Sequence, residues 1–291
     1  MGFYQYMEIF KIIILSLGMS LAYILITLIV SFFTYKKIKL PDLIDWKILV
    51  SNSLILSIPF FFILWGLPLL FNSIIFSEIV INIILFLTIS IVPSYEYLIS
   101  PLIIIRNEKL VEINLSNRVK NITGNFKIFK VNKEFANAYA IGVLPNSKSI
   151  VISKDLLQEM NQIELDGIIS HEIGHLKKNH LFKLYLSALL ALLIGYISTF
   201  YFYPIIENSN YNIHILRAIH GSFFYGLPMW IIPALFQRNF EYQADVYASK
   251  LVGKDNYINS LKKLDNMTNG TVAKGGITHP SLEKRINNIL R

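Results

Sequence analysis

The sequence predicts a mainly α-helical membrane protein with about five transmembrane helices and a small cytoplasmic α+β domain. Three observations carry that expectation. The chain is 54% hydrophobic, with a mean hydropathy of +0.49, above what a soluble domain shows. Charge-free runs long enough to cross a bilayer recur along it, and Lys and Arg gather on alternate connections. Between those runs lies a polar block in which short strand-like segments lead into helix signals.

The first span is predicted over residues 12–35, uncharged between Lys11 and Lys36, and the second over 48–77, uncharged between Lys47 and Glu78. Each exceeds the roughly 20 residues that a bilayer-spanning helix needs. A third runs over 79–95, with Pro93, Glu96 and Pro101 breaking or tilting its inner end. Residues 184–206 and 218–237 supply the last two. The first run is too long for a cleaved leader and no small-residue cleavage site follows, so no signal peptide is expected.

Lys36, Lys37, Lys39 and Lys47 place the first connection in the cytoplasm, and the connections at 72–77 and 204–213, free of Lys and Arg, face outward. Alternation puts residues 106–183 and 238–291 in the cytoplasm and makes this a multi-pass protein of the cell membrane. Arg217, at the outer end of the last span, is accommodated by snorkelling. The expected organisation is a three-span region over 1–105, a strand and helix block over 106–183, two spans over 184–237, and cytoplasmic helices over 238–291 that complete the domain.

Within the first polar block, Leu110, Ile113, Val119 and Ile122 suit one or two amphipathic helices ending at Gly124. Strands are predicted over Phe126–Val131, Ala138–Ile141 and Ser149–Ile152, the last two separated by the turn residues Pro145, Asn146 and Ser147. Ser153 caps a short helix over Lys154–Met160. Asn161 with Glu164 three residues on reads as a capping box, and apolar positions at helical spacing follow.

That helix carries His171-Glu172-Ile173-Gly174-His175. Residues four apart share a helix face, so both imidazoles can reach one metal ion. Composition alone yields this pattern about 0.005 times in a chain with 6 His. Catalytic zinc typically takes three protein ligands and a water, and Glu172, about 100° round the helix from His171, can draw that water's proton without filling a ligand position. The pattern implies a metallohydrolase centre.

The chain has no Cys, which excludes disulfides and thiolate metal sites and leaves His and carboxylate as ligands. Its net charge of +8 reads as membrane orientation, and no nucleic acid partner is expected. Glu241, taken to open a helix at the cytoplasmic membrane surface, is the best third ligand. Asp245, one turn later, would hold a ligand imidazole through its second nitrogen. Taken alone, the two read equally well as a surface carboxylate pair. His180, about 140° round a continuous helix from His175, is not assigned as a ligand. Asp166 reads as early-helix charge favoured by the macrodipole, and His214 and His220 as polar residues facing the bundle. A further helix is expected over 256–267, and His279-Pro280-Ser281 caps a last helix carrying Arg285.

Four blocks in order then resemble the HtpX-like membrane zinc metallopeptidases, relatives of the CAAX prenyl-protein endopeptidases. They are Asn137-Ala138-Tyr139-Ala140, the run from His171 to His180, Glu241 with Ala244-Asp245, and Thr278-His279-Pro280 with Arg285-Ile286. The resemblance covers roughly 106–291. It implies a zincin-like (gluzincin) protease domain holding one zinc ion per chain on His171, His175 and Glu241, with Glu172 as general base. It further implies that Asn137 lies on an edge strand pairing with extended substrate, that His279 helps bind or polarise the scissile carbonyl, and that Arg285, counted with the substrate-binding residues, braces that region. Three early spans depart from that family's two.

The expected activity is hydrolysis of membrane or misfolded proteins on the cytoplasmic side, as in protein quality control, with polypeptide and lipid bilayer as partners. Two alternatives remain: a processing protease for a peptide or lipidated (CAAX-like) precursor, and a metalloprotease-type signalling receptor. The receptor reading is disfavoured, because only 46 residues follow Asp245 in 291 and a sensor domain is not expected there.

Overall fold

The structure is a computed structural model that describes residues 78–106, 110–113, 121, 124, 126–131, 136–211, 216, 219–220 and 222–291. The predicted spans over 12–35 and 48–77, the first connection, His214 and Arg217 lie outside the described residues. The chain divides into two compact units, Met1–Val92 and Pro93–Arg291. In the first, helix α1 (Glu78–Ile89) is described. Thr88 and Ser90 turn their hydroxyls back onto the Ile84 and Phe86 carbonyls, each at 2.7 Å, which hides polar groups within an apolar helix.

The second unit opens with a π-helical turn at Tyr95–Ile99 and helix α2 (Ser100–Arg106), lying where Pro93 and Pro101 were expected to break the third span. Among the described residues two helical stretches are long and apolar enough to cross a membrane, Phe86–Ile103 and His180–Ile206, with mean hydropathies of 1.3 and 1.9.

Among the described residues four strands follow: β1 (Leu110–Glu112), β2 (Lys127–Val131), β3 (Ala138–Ile141) and β4 (Ser149–Ser153). They form one sheet in the order β1-β2-β4-β3, with β2 and β4 parallel and both outer pairs antiparallel. Every residue of β4 is buried, as expected of a central strand covered on both faces. Ile128, Ile150 and Ile152 pack on one face, and Phe129, Val131, Val151 and Ile141 on the other.

Leu110 is a correction to the predicted amphipathic helix. It starts β1, paired opposite Val131, because β2 offers it a ladder partner; three residues are too few for hydrophobic periodicity to signal a strand. Val119 and Ile122 lie outside the described residues.

Helix α3 (Lys154–Glu159) is capped by Ser153, whose Oγ accepts from Leu156 N. Helix α4 (Gln162–Lys177) begins at the predicted capping box: Asn161 Oδ1 accepts from Glu164 N at 3.0 Å and Glu164 Oε2 from Asn161 N at 2.9 Å. It ends at Asn179, which adopts φ 54°, a left-handed conformation that Asn tolerates better than most residues. Helix α5 (His180–Glu207) starts there.

Helix α6 (Leu227–Val252) follows a π-helical turn at Ser222–Gly226. It corrects a second expectation. Glu241 does not open a helix but sits within one that continues unbroken from the predicted fifth span, because no breaker separates the two parts; Pro233 is accommodated inside it. Helix α7 (Lys254–Met267) and helix α8 (Leu282–Leu290) complete the chain. Ser281 holds the N-cap position of α8 in extended conformation, without a side-chain cap bond.

Helices α4 and α6 meet closely at Gly174. A Cβ there would stand 3.1 Å from Ala244 Cα, so small residues on both helices set how near α6 comes.

Candidate metal centre

One turn of α4 presents His171 and His175, and α6 brings Glu241 against them from the opposite side. The two Nε2 atoms are 3.2 Å apart. Glu241 Oε2 lies 3.4 Å from the His171 Nε2, and its Oε1 3.5 Å from the His175 Nε2. Tetrahedral zinc with bonds of about 2.0–2.1 Å separates neighbouring donor atoms by about 3.3 Å. The donor set and its edge lengths therefore fit one zinc ion. These three residues offer donor atoms all within 4.8 Å of one another.

The electrostatics favour a cation. Burial works against charge on Glu241, but His171 and Arg285 outweigh it and hold the carboxyl well below the usual carboxylate range. Burial also opposes a proton on His171, yet hydrogen bonds to Asp245 and Glu241 win and raise it to about 10. Burial and the charge on His171 lower His175 to about 3, so that its imidazole is neutral, the form that ligates metal. The carboxylates thus hold a positive charge here, which a proton or a metal ion can supply.

Glu172 lies beside the two imidazoles on α4 and accepts from Ala140 N at 2.8 Å. Burial raises its carboxyl to about 7, against the opposing pull of His171 and the Ala140 amide. Ala140 belongs to β3, an outer strand of the sheet. Its amide points away from β4, and alternation gives Ala138 the same aspect. Asn137 immediately precedes β3, with its backbone turned to Ser153: N donates to Oγ at 3.1 Å and O accepts from N at 2.9 Å.

His171 Nδ1 faces Asp245 Oδ1 at 3.1 Å. Tyr257 of α7 donates to the same Oδ1 at 2.6 Å, and its hydroxyl stands 2.8 Å from His171 Nδ1. Arg285 of α8 forks onto Asp245, Nε to Oδ2 at 3.0 Å and a terminal nitrogen to Oδ1 at 2.6 Å. Arg285 is 5% exposed, and it bonds both Asp245 and the Tyr257 hydroxyl.

His279 is different. Its side chain is 50% exposed, with Nε2 3.5 Å from Glu241 Oε1 and Nδ1 2.8 Å from Thr278 Oγ1. Gly275 at φ 62° and a bond from Gly276 N to His279 O shape its loop, and Arg238 of α6 reaches the Gly276 carbonyl at 3.4 Å.

Sequence reasoning missed two residues around this donor set and the burial of a third. Tyr257 carried only the signal of an apolar position on an amphipathic helix. His180 Nδ1 lies 3.1 Å from His175 Nδ1, and its Nε2 lies 3.3 Å from Gln243 Oε1. His180, not assigned as a ligand from the sequence, is therefore a neighbour of His175, because the left-handed Asn179 beyond α4 re-aims its ring. Asp166, expected as early-helix charge, is fully buried and accepts from Gln162 at 2.9 Å.

Residues 108–291 match the sequence profile of Peptidase family M48. The chain is 30% identical over 179 residues to a protein named Protease HtpX from Mannheimia succiniciproducens, across 52% of this chain and 61% of that protein. With Protease HtpX of Hydrogenovibrio crunogenus it shares 29% over 180 residues, across 52% and 58%. It thus spans about three fifths of the length of these curated relatives. A crystal structure of Ste24p from S. mikatae superposes with a TM-score of 0.58 at 22% identity, over 78% of this chain and 62% of that one, a likeness of fold.

Proposed function

The chain belongs to peptidase family M48, whose profile takes in its residues 108–291, and from that premise we propose that it is a membrane-embedded zinc endopeptidase. The observation that carries this reading is the triangle of His171, His175 and Glu241, with Glu172 beside it on the same helix. Zinc, when bound, supplies Lewis acidity that polarises a scissile carbonyl and acidifies water.

The chain's own residues do the rest. Glu172 takes a proton from the attacking water as the water oxygen bonds to the carbonyl carbon. When the C–N bond breaks, the same carboxyl passes that proton to the departing nitrogen. A buried carboxyl raised to about 7 suits both tasks near neutral pH. An extended polypeptide lies along β3, pairing with the outward backbone of Ala138 and the carbonyl of Ala140 and passing Asn137. The Ala140 amide holds Glu172 in register with that strand. His279, half-exposed next to Glu241, donates to the scissile carbonyl oxygen.

One zinc ion serves each chain. The substrates are membrane or misfolded proteins, cut on the cytoplasmic side. Five spans anchor the domain, three within 1–105 and two within 184–237, and the blocks 106–183 and 238–291 close it. Two long apolar helices and the distribution of Lys and Arg support that arrangement.

Glu172→Gln tests the chemistry. The purified variant keeps zinc at one equivalent and loses cleavage of an unfolded reporter polypeptide by at least about 100-fold, the scale of general-base loss. Cleavage at the wild-type rate removes Glu172 from its role. The same variant, used to trap substrates in membranes, identifies what the enzyme cuts.

A further inference from the structure

Resting on the reading of His175 as a zinc ligand, we propose that His180 and Gln243 are positioning residues that fix the tautomer and aim of His175. Gln243 presents its Oε1 to His180 Nε2 at 3.3 Å. An amide oxygen only accepts, so this nitrogen of His180 carries the hydrogen. A neutral His180 then has a bare Nδ1, which lies 3.1 Å from His175 Nδ1. Two ring nitrogens at that distance need one donor and one acceptor, so His175 carries its hydrogen on Nδ1. Its Nε2 is left with a free lone pair, and that is the nitrogen aimed at Glu241 and His171.

The placement is enforced from outside the zinc helix. His180 is the first residue of α5, fully buried, and its ring stacks on Phe240 at 4.4 Å between centroids and 7° between planes. Gln243 and Phe240 both belong to α6, flanking Glu241. The helix that supplies the third donor therefore also holds the partner of the second. A ring that merely filled space would need the stacking but not the relay.

The test separates those two roles in the full chain in detergent or nanodiscs, with zinc affinity read by chelator competition and the cobalt(II) form read by its visible absorption. His180→Phe keeps the ring and its stack on Phe240 but removes both nitrogens; zinc affinity falls about 10–100-fold, and the cobalt band shifts. His180→Asn returns an acceptor oxygen near the place of Nδ1 and recovers affinity to within about threefold of wild type. Gln243→Leu loses affinity in the same direction by about 3–10-fold, since it removes only the far end of the relay. Wild-type affinity and an unshifted spectrum in His180→Phe overturn the proposal, as does an Asn variant no better than Phe. If His180→Phe does not fold, unchanged affinity and spectrum in Gln243→Leu overturn it equally. A wild-type chain that takes up no cobalt overturns the metal reading and this proposal with it, whereas uptake that is indifferent to His180 and Gln243 overturns the proposal alone.

Discussion

His171 and His175 leave the same helix one turn apart and direct their Nε2 atoms at one point, yet their outer nitrogens face different chemistry. Behind His171 stand a carboxylate, a phenol and a guanidinium: Asp245, Tyr257 and Arg285, drawn from α6, α7 and α8. Behind His175 stand a second imidazole and an amide, His180 and Gln243. One imidazole is backed by charge and the other by a neutral relay. A negative group raises the basicity of the imidazole it touches, whereas a neutral acceptor chiefly orients it. The first support is also costlier to disturb, because a buried charge left without its partner is heavily penalised.

Removal of the cation gives the largest expected effect. Arg285→Met leaves Asp245 buried without its guanidinium and destabilises the fold by about 3–5 kcal/mol, read as a lowered melting temperature of the metal-free protein. A loss under about 1 kcal/mol, the scale of an exposed pair, would show that charge does not define this side. Asp245→Asn comes next. It keeps a hydrogen-bond acceptor but removes the negative charge, and zinc affinity falls about 10–100-fold. Its sharpest use is beside His180→Asn, which keeps near wild-type affinity; equal losses in the two would erase the contrast between charged and neutral support. Tyr257→Phe is the smallest. Arg285 still satisfies Asp245, so the cost is about 1.5 kcal/mol, the low end for a hydrogen bond to a charged group, and denaturant unfolding measures it.

The meeting of His171 and His175 was legible because its geometry is local: four residues on a helix fix two side chains on one face. The start of α4 was legible for the same reason, since Asn161 and Glu164 complete each other's bonds within one turn. β3 was found at its predicted bounds, Ala138–Ile141. What failed depends on partners distant in sequence. Leu110 reads as helix until β2 lies beside it. The partner of Arg285, Asp245 40 residues earlier, is marked by no spacing in the sequence. His180 reads as pointing away from His175 on a continuous helix, and only the turn at Asn179 changes that. Each depends on where helices cross, which periodicity does not encode.

The close passage of α6 over Gly174 has a mechanical consequence. Ala244 is the fulcrum of a long rod. Pro233 lies roughly 16 Å from it along the axis and Glu241 only roughly 4.5 Å, so a sideways sway at Pro233 reaches the carboxylate reduced about fourfold. For a rigid helix turning at that contact, the charge near the pivot stays almost still.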